Sequence, residues 1–400
     1  MLIRIAAALL CVCAGAFVLR RAAAEVAMRR STTVEELERA CAKDPGRASC
    51  WSRAAEAREA LGMDASQAWR RAVERNPRDA QMLTQAAVAA ESRGNTADAE
   101  RLLLQAAKYN HLWLPRWTLA NFYFRQKRKT EFWKWMSSAF DRSYGDPTAA
   151  FRLCSAAGGR APFLLDHVLP SSPEILNAFV QFLTREKNYA DLEYAAGQYA
   201  KLASASEQSQ ATAALTAAAD ALVTAGRVNG ALRIWNDLAT RRYIPYPAWS
   251  AAAPLVNGTF QTPLPSPVFD WRPSREEGIQ TIFGAPTDGV KISLSGAQAV
   301  DAELLSQYLA LPPSRRFRLA FEYQTPQIGP DESGFYWRAG GVIGDELPSA
   351  GDWETGWVKF ETADAPHVTL YKLALIAGRK PGKVRMQGEV WVRRVRLENY

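Results

Sequence analysis

The chain has 400 residues, which is too long for one compact core, so two or three structural units are expected. A hydrophobic content of 48% with 22% charged residues excludes a disordered chain. The net charge is +8, yet residues 255–400 carry 16 Lys/Arg against 17 Asp/Glu, so the basic excess lies in the first part. That excess favours an acidic partner, or it is the solvated surface of Arg-rich helices. No nucleic-acid-binding motif accompanies it, so no nucleic-acid partner is predicted.

Residues 1–30 contain an apolar run that begins at Ile5 and is followed directly by Arg20 and Arg21. A run of about 15 residues suits the core of a signal peptide and is short for a membrane span. The abutting arginines resemble an uncleaved anchor. We therefore expect a signal peptide or a membrane anchor, with a buried helix of a cytosolic domain as the alternative. Orientation stays open, because Arg4 opposes the two later arginines.

Two of the five cysteines, Cys41 and Cys50, flank the turn sequence Asp44-Pro45-Gly46. If this turn joins antiparallel helices, the two cysteines lie at adjacent helix ends. A disulfide is sterically feasible there and would imply an oxidising compartment. The alternative is a pair of unbonded cysteines that act as small hydrophobic residues.

Small residues recur with a period near 34 residues over residues 31–245. With Ala80 as position 1, Ala87 is at position 8, Gly94 at 15 and Ala99 at 20. This spacing resembles the tetratricopeptide (TPR) repeat, which needs small residues where its paired helices approach closely. The resemblance implies an α-solenoid of TPR-like helix pairs, whose concave face holds a protein partner.

Further units begin near residues 48, 114, 173 and 212, whereas residues 148–171 break the register. The unit at 114–147 concentrates aromatic and basic side chains. The candidate partner-binding residues are Trp117, Phe122, Arg125, Lys127, Arg128 and Lys129. A protein partner is the first expectation for this cluster, a membrane surface the second and the chain's own β domain the third. Alternatively, the aromatic residues are helix–helix core, since they recur at helical spacing.

The residue pattern changes at a Pro-rich join, residues 246–254. Over residues 255–400, short alternating segments rich in Val, Phe, Tyr and Trp are separated by turn signals such as Asp288-Gly289 and Lys380-Pro381-Gly382. This pattern predicts an antiparallel β-sandwich or jelly roll. The predicted fold class is therefore multidomain, an α-solenoid followed by a β-sandwich.

The first and last predicted strands carry a second resemblance. The β domain opens with Asn257-Gly258-Thr259-Phe260 and closes with Gly388–Leu397. These segments resemble the jelly rolls of carbohydrate-binding modules and galactose-binding-like domains. Gln261 stands where that family has an acidic residue, and Arg393-Arg394 replace its acidic pair for structural calcium. No metal is therefore predicted.

The resemblance implies a glycan ligand, held by aromatic platforms and neighbouring hydrogen-bond donors. The candidates are Trp271, Arg272, Tyr336, Trp337, Arg338, Trp353 and Trp357. Tyr336 and Trp337 are neighbours, so on a strand only one of them can face the core. For each aromatic residue, packing in the core or between domains is the alternative.

No motif in the chain requires a reaction. The three histidines lack metal-ligand spacing, and neither a nucleophile elbow nor a complete phosphate loop occurs, so no cofactor and no enzymatic activity are expected. A glycosidase needs only two carboxylates, and the loop candidates are Glu276, Glu277, Asp331 and Glu332.

These features predict a non-enzymatic scaffold of the bacterial cell envelope, membrane-anchored or exported on the periplasmic side of the inner membrane. It would act in polysaccharide assembly or export. The solenoid would hold a protein partner, and the sandwich would hold a glycan or dock on the solenoid. The alternatives are a glycan-processing hydrolase with an accessory module and a structural adaptor that binds no sugar.

Overall fold

The computed structural model describes residues 2–285, 289–329 and 334–400, with side chains from residue 10 onward except those of Ala205 and Ala285. Asp288, Asp331 and Glu332 lie outside these ranges. The chain divides into two compact units. One comprises Met1–Gly158 and Asp166–Pro170, and the other Gly159–Leu165 and Ser171–Tyr400.

The first unit is helical, and its consecutive helices pack in pairs. Its helices are α1 (Leu2–Arg30), α2 (Val34–Lys43), α3 (Ala48–Ala60), α4 (Ser66–Arg75), α5 (Ala80–Ser92), α6 (Thr96–Tyr109), α7 (Trp113–Arg125), α8 (Lys129–Phe140) and α9 (Thr148–Ala156). Polar residues cap several helix starts. The Asp79 and Asn95 side chains each accept the backbone N–H of the third residue of the helix that follows, α5 and α6 respectively. The small residues of the repeat, Ala87, Ala99 and Ala106, are fully buried where paired helices approach.

In five of the helix pairs, one residue of the connecting turn adopts the left-handed conformation. Gly62, Gly94 and Gly226 do so with φ of 69°, 80° and 72°. Lys127 and Lys187 occupy the equivalent turns between α7 and α8 and between α11 (Pro173–Arg185) and α12 (Tyr189–Leu202), with φ of 58° and 55°. The left-handed turn therefore recurs even in the helix pairs whose turn lacks glycine. There the lysine bears a steric cost that glycine would avoid.

The N-terminal helix α1 is continuous with the helical unit. Arg20 Nε donates to the Lys43 carbonyl at 2.8 Å, and Arg21 lies 3.4 Å from the Asp44 carboxylate. Ala24 is buried. The later part of α1 therefore packs on α2. In the described part of the chain, no helix combines the length and hydropathy of a membrane span.

A disulfide joins Cys41 at the end of α2 to Cys50 at the start of α3, with their Cα atoms 5.5 Å apart. The Asp44-Pro45-Gly46 turn places the two helix ends side by side, as the spacing of the cysteines predicts. Arg47 adds an ion pair with Glu25 of α1 to the same corner.

The second unit begins with helices and ends with strands. Helix α10 (Ala161–His167) spans the division between units, and α11, α12, a 3₁₀ turn (Ala205–Glu207), α13 (Gln208–Thr224) and α14 (Val228–Thr240) follow. The strands are β1 (Arg272–Pro273), β2 (Ile279–Ala285), β3 (Gly289–Ser295), β4 (Asp301–Leu311), β5 (Arg316–Gln324), β6 (Phe335–Ala339), β7 (Val342–Ile343), β8 (Glu354–Glu361), β9 (Thr369–Gly378) and β10 (Gln387–Asn399).

The described strands form two antiparallel sheets. The first sheet has the order β1-β4-β9-β6-β7, and the second has the order β2-β3-β10-β5-β8. Alternate residues face the shared core, as β3 shows with buried Val290, Ile292 and Leu294. The predicted fold class, a helical repeat array followed by an antiparallel β-sandwich, is confirmed.

The Pro-rich join is an ordered segment packed between the last helix pair and the sandwich. The Tyr246 ring stacks on Trp235 of α14 at 5.8 Å, and Phe269 meets Trp235 edge-on at 5.6 Å. Trp249 Nε1 donates to the Ala310 carbonyl of β4 at 3.0 Å, and its backbone N–H donates to Asn236 of α14 at 2.8 Å. The sandwich therefore docks on the last repeat.

This docking explains why β4 departs from alternation. The outer-facing Ser306 and Ala310 of β4 are buried, and the Arg272 guanidinium lies 4.9 Å over the ring of the outer-facing Tyr308. The first sheet is thus covered along β4 by the chain's own segments.

Candidate functional site

Two of the predicted glycan platforms are core residues. Trp271 and Trp337 are fully buried, with ring centroids 6.2 Å apart, and Trp271 lies 4.9 Å from Phe260. Trp271 Nε1 donates to the Asn257 carbonyl at 2.8 Å. Their assignment to a glycan site is wrong, because both rings fill the space between the two sheets.

Arg272 is also a structural residue rather than a ligand donor. Its guanidinium forms an ion pair with Asp220 of α13 and lies 4.9 Å over the Tyr308 ring. Asp220 also accepts the Val268 N–H at 3.0 Å. Arg272 therefore ties the start of the sandwich to the last helix pair.

The remaining candidates lie on opposite sides of the sandwich. Tyr336 and Arg338 share the outer face of β6 in the first sheet, where Arg338 Nη2 lies 3.3 Å from the Tyr336 hydroxyl. Trp353 and Trp357 belong to the second sheet, just before and within β8. The structure therefore does not bring the predicted glycan residues into one site.

The outer face of the second sheet carries three indole rings: Trp353, Trp357 and Trp391, here called the tryptophan face. Trp357 is 55% exposed, and Trp353 and Trp391 are half-buried. Trp391 of β10 was missed as a candidate, although its place between buried Val390 and Val392 shows that it faces outward.

Charged side chains hold the rings of this face in place. Glu389 accepts hydrogen bonds from Lys291 at 2.6 Å and from Trp391 Nε1 at 3.0 Å. The bond from Lys291 holds the pKa of Glu389 below its ordinary value. The carboxylate is therefore ionised at neutral pH and fixes the orientation of the Trp391 ring.

The two arginines that replace the acidic pair of the carbohydrate-binding family meet at one carboxylate. A bulge in β10 and a φ of 53° at Arg394 allow both Arg393 and Arg394 to reach Glu322, at 2.6 and 3.0 Å. Burial opposes ionisation of Glu322, but these two hydrogen bonds outweigh it and hold its pKa below the ordinary value. The Arg393 guanidinium also lies 3.9 Å over the Trp353 ring.

A second candidate surface is an open groove on the solenoid, between α3, α5 and α7. One part, of about 540 Å³, is lined by residues such as Glu56 and Gln85, and the adjoining part, of about 610 Å³, by Trp117 and Asn121. Val88 lines both parts. The Trp117 ring stacks on Trp113 at 5.1 Å, so its position is fixed. We call this surface the solenoid groove.

The predicted cationic cluster beside Trp117 is largely neutralised. Arg125 Nε and Nη2 bind Glu91 at 2.8 and 2.6 Å. Arg128 binds Glu100 at 2.7 Å and Glu131 at 2.6 Å. Lys127 and Lys129 are exposed.

Phe122 is the clear error among the predicted partner-binding residues. It is 1% exposed and packs edge-on against Tyr123 inside the solenoid. Its assignment to a partner surface is wrong, because the aromatic residues at this helical spacing supply core as well as surface.

Of the four loop carboxylates, the structure describes Glu276 and Glu277. Glu276 accepts the Ala299 N–H, Glu277 is exposed, and Asp331 and Glu332 lie outside the described residues. Within the described ranges, no group of three His, Cys, Asp or Glu side chains has an arrangement that could hold a metal ion.

No protein-family model matches the chain, and no curated protein matches it. Among solved structures, the chain is similar to YrrB, a TPR protein with an unusual peptide-binding site, at 10% identity and a TM-score of 0.25 over 52% of this chain and 93% of YrrB. It is similar to PilF of Pseudomonas aeruginosa at 14% identity and a TM-score of 0.26, over 57% of this chain and 88% of PilF.

Over 32% of its length, the chain is also similar to a carbohydrate-binding module of a Cellvibrio mixtus lichenase solved with cellotriose. The identity is 14%, the TM-score is 0.21, and 91% of the module is covered. These neighbours are TPR proteins and carbohydrate-binding modules, the two kinds of structure that the sequence resembles. At such TM-scores, what the chain binds has to be inferred from its own geometry.

Proposed function

We propose that the chain is a non-enzymatic binding protein of the cell envelope. The tryptophan face holds a glycan, and the solenoid groove holds a protein partner. The observation that carries this proposal is the contrast between the two sheets. The first sheet is covered along β4, where Arg272, bound to Asp220 of α13, lies over the outer-facing Tyr308, whereas the second sheet presents Trp357 to solvent with 55% of its surface exposed.

An exposed indole ring on a strand face is a platform for the apolar face of a sugar ring, because the two flat surfaces exclude water from each other. The rings here are accompanied by oriented polar groups. Glu389 fixes Trp391, and Arg393 lies over Trp353. Such fixed groups lower the ordering cost of binding and supply hydrogen bonds to sugar hydroxyls.

The solenoid groove supports the protein-binding half of the proposal. The groove is lined by an exposed aliphatic residue, Val88, and by the amide side chains of Gln85 and Asn121. Amides can pair with the backbone of an extended peptide while the apolar residues take its side chains. Because Arg125 and Arg128 are paired, we place the partner in the groove rather than on the cationic cluster.

The proposed location is the periplasmic side of a bacterial inner membrane, in polysaccharide assembly or export. The Cys41–Cys50 disulfide supports an oxidising compartment. Apolar side chains of α1 that precede Arg20 are exposed, among them Leu10, Phe17 and Leu19, which supports contact with a membrane or another protein.

A glycan array probed with the full chain tests the proposal. We expect wild type to bind at least one class of polysaccharide and Trp357→Ala to lose most of that binding. Ile343→Ala is the matched control, because Ile343 is 64% exposed on β7 of the other sheet. Silence of the wild-type chain across the array would favour the adaptor that binds no sugar. Release of new reducing ends from a bound glycan would favour the hydrolase.

A further inference from the structure

At one end of the tryptophan face, a small residue lies between two large side chains. This residue is Ala320 on β5, whose cross-strand partners are Trp357 on β8 and Arg396 on β10. Directly opposed residues on one face have Cβ atoms about 5 Å apart, so the small methyl group lies between an indole ring and a guanidinium group.

The adjacent row supplies a second cation. Lys359 follows Trp357 by two residues on the same face of β8, and its ammonium lies 5.2 Å from the Trp357 ring. It also lies 5.0 Å from the ring of Tyr400, which is 56% exposed. Lys359 therefore stands between two exposed aromatic rings.

Lys359 and Arg396 have no described carboxylate bound to them, although Glu398, two residues from Arg396 on β10, interacts with it electrostatically. Their neighbour Arg318 is bound to Glu398 at 3.1 Å through Nε, and Arg316 lies 3.7 Å from Glu361. By contrast, neither Lys359 nor Arg396 forms an ion pair with a carboxylate in the described ranges. Residues 255–400 as a whole carry 16 Lys/Arg and 17 Asp/Glu. The surplus of positive charge around Lys359 and Arg396 is therefore local and does not follow from the composition of the β domain.

We infer that Ala320, Trp357, Lys359 and Arg396 form a subsite for a negatively charged sugar residue, so that the glycan of this protein is an acidic polysaccharide. The inference rests on the proposed glycan-binding function. The sugar ring would stack on Trp357 above Ala320, and its carboxylate or sulfate would accept charge-assisted hydrogen bonds from Lys359 and Arg396. Aromatic rings attract an ammonium group but accept no strong hydrogen bonds from it. Its N–H groups therefore stay accessible to an anionic ligand, whereas a bound carboxylate would take them up.

The test measures binding of the full chain to polygalacturonate, which carries carboxylates, to dextran sulfate, which carries sulfates, and to unsubstituted dextran. Lys359→Gln/Arg396→Gln should weaken binding of the preferred acidic polymer at least tenfold, because two charge-assisted hydrogen bonds are lost. The same substitution should flatten the salt dependence of binding. Arg338→Gln, an exposed arginine on the first sheet, should leave both unchanged.

Four outcomes would overturn the inference. Equal binding of dextran and the acidic polymers, with loss of both in Trp357→Ala, would keep the proposed function and remove the anion subsite. Unchanged acidic-polymer binding by the double variant would place the charge recognition elsewhere. If wild type also bound duplex DNA, and the double variant lost that binding to the same degree, the two residues would form a general cationic patch. A chain that binds no polysaccharide at all would overturn the proposed function together with the inference.

Discussion

The hydroxyl of Tyr246 donates a 2.7 Å hydrogen bond to the carboxylate of Asp270, a fully buried residue at the start of the sandwich. Asp270 also accepts from Asn257 Nδ2 at 2.9 Å and from the Leu264 N–H at 3.1 Å. Because the Tyr246 ring stacks on Trp235 of α14, this contact couples the last helix pair to the sandwich.

Tyr246→Phe should destabilise this junction by about 1–3 kcal/mol, because it removes a hydrogen bond to a buried carboxylate. Native-state hydrogen exchange of the peptides covering residues 257–272 measures the loss. Tyr109→Phe is the control, since Tyr109 is an exposed tyrosine of the solenoid. Unchanged exchange in Tyr246→Phe would mean that the carboxylate is held without the hydroxyl.

The same contact predicts a loss of stability at alkaline pH. Burial and the hydrogen bond to Asp270 raise the pKa of Tyr246 in the folded chain. Above the unfolded pKa of about 10, the unfolded chain releases a proton that the folded chain keeps, so stability is present below that pH and falls above it. The urea midpoint should therefore fall more between pH 9 and pH 11 in wild type than in Tyr246→Phe. A larger fall in the variant would contradict the assignment.

The left-handed lysines predict a stabilising substitution. Lys127→Gly should stabilise the chain by about 1 kcal/mol, because glycine adopts a φ of 58° without the steric cost of a side chain. Lys134→Gly, inside α8, should destabilise it by a similar amount, because glycine is unfavourable in a helix interior. Scanning calorimetry distinguishes the two. A loss of stability in both variants would mean that the Lys127 side chain contributes more than its backbone costs.

The disulfide predicts a local effect in the first unit. Cys41→Ser/Cys50→Ser should lower the free energy of opening of α2 and α3 by about 2–3 kcal/mol, because a covalent loop of this size restricts the unfolded chain. Hydrogen exchange of peptides covering residues 34–60 reports it. A reductant should reproduce the change in wild type and add nothing to the double variant. Equal exchange in oxidised and reduced wild type would show that packing alone holds the two helices.

The backbone architecture could be read from the sequence because it depends on repeated local rules. The period of small residues predicts the helix pairs, and alternation predicts the sandwich. The turn at Lys127 escaped this reasoning, since the sequence signal for a left-handed turn is glycine and the backbone conformation is imposed there by the packing of α7 and α8. The docking of β4 also escaped it, because a covered outer face depends on segments distant in the chain.

Binding residues were harder to predict, since residue type does not report which face a side chain occupies. Trp271 and Trp357 are alike in sequence terms, yet one fills the core and the other is exposed. Arg272 is a residue type that can donate hydrogen bonds to a sugar, but its guanidinium forms an ion pair with Asp220. Trp391 could have been found by alternation, because its two flanking valines face the core. That no described carboxylate is bound to Lys359 or Arg396 becomes visible only when the ion pairs around them are known.

The central claim, that the glycan lies on the tryptophan face, is tested most directly by hydroxyl-radical footprinting of the full chain with and without the polysaccharide found on the array. We expect the ligand to reduce oxidation of Trp357 strongly and to leave Tyr336, on the outer face of the other sheet, unchanged. Protection of Tyr336 with undiminished oxidation of Trp357 would contradict the account.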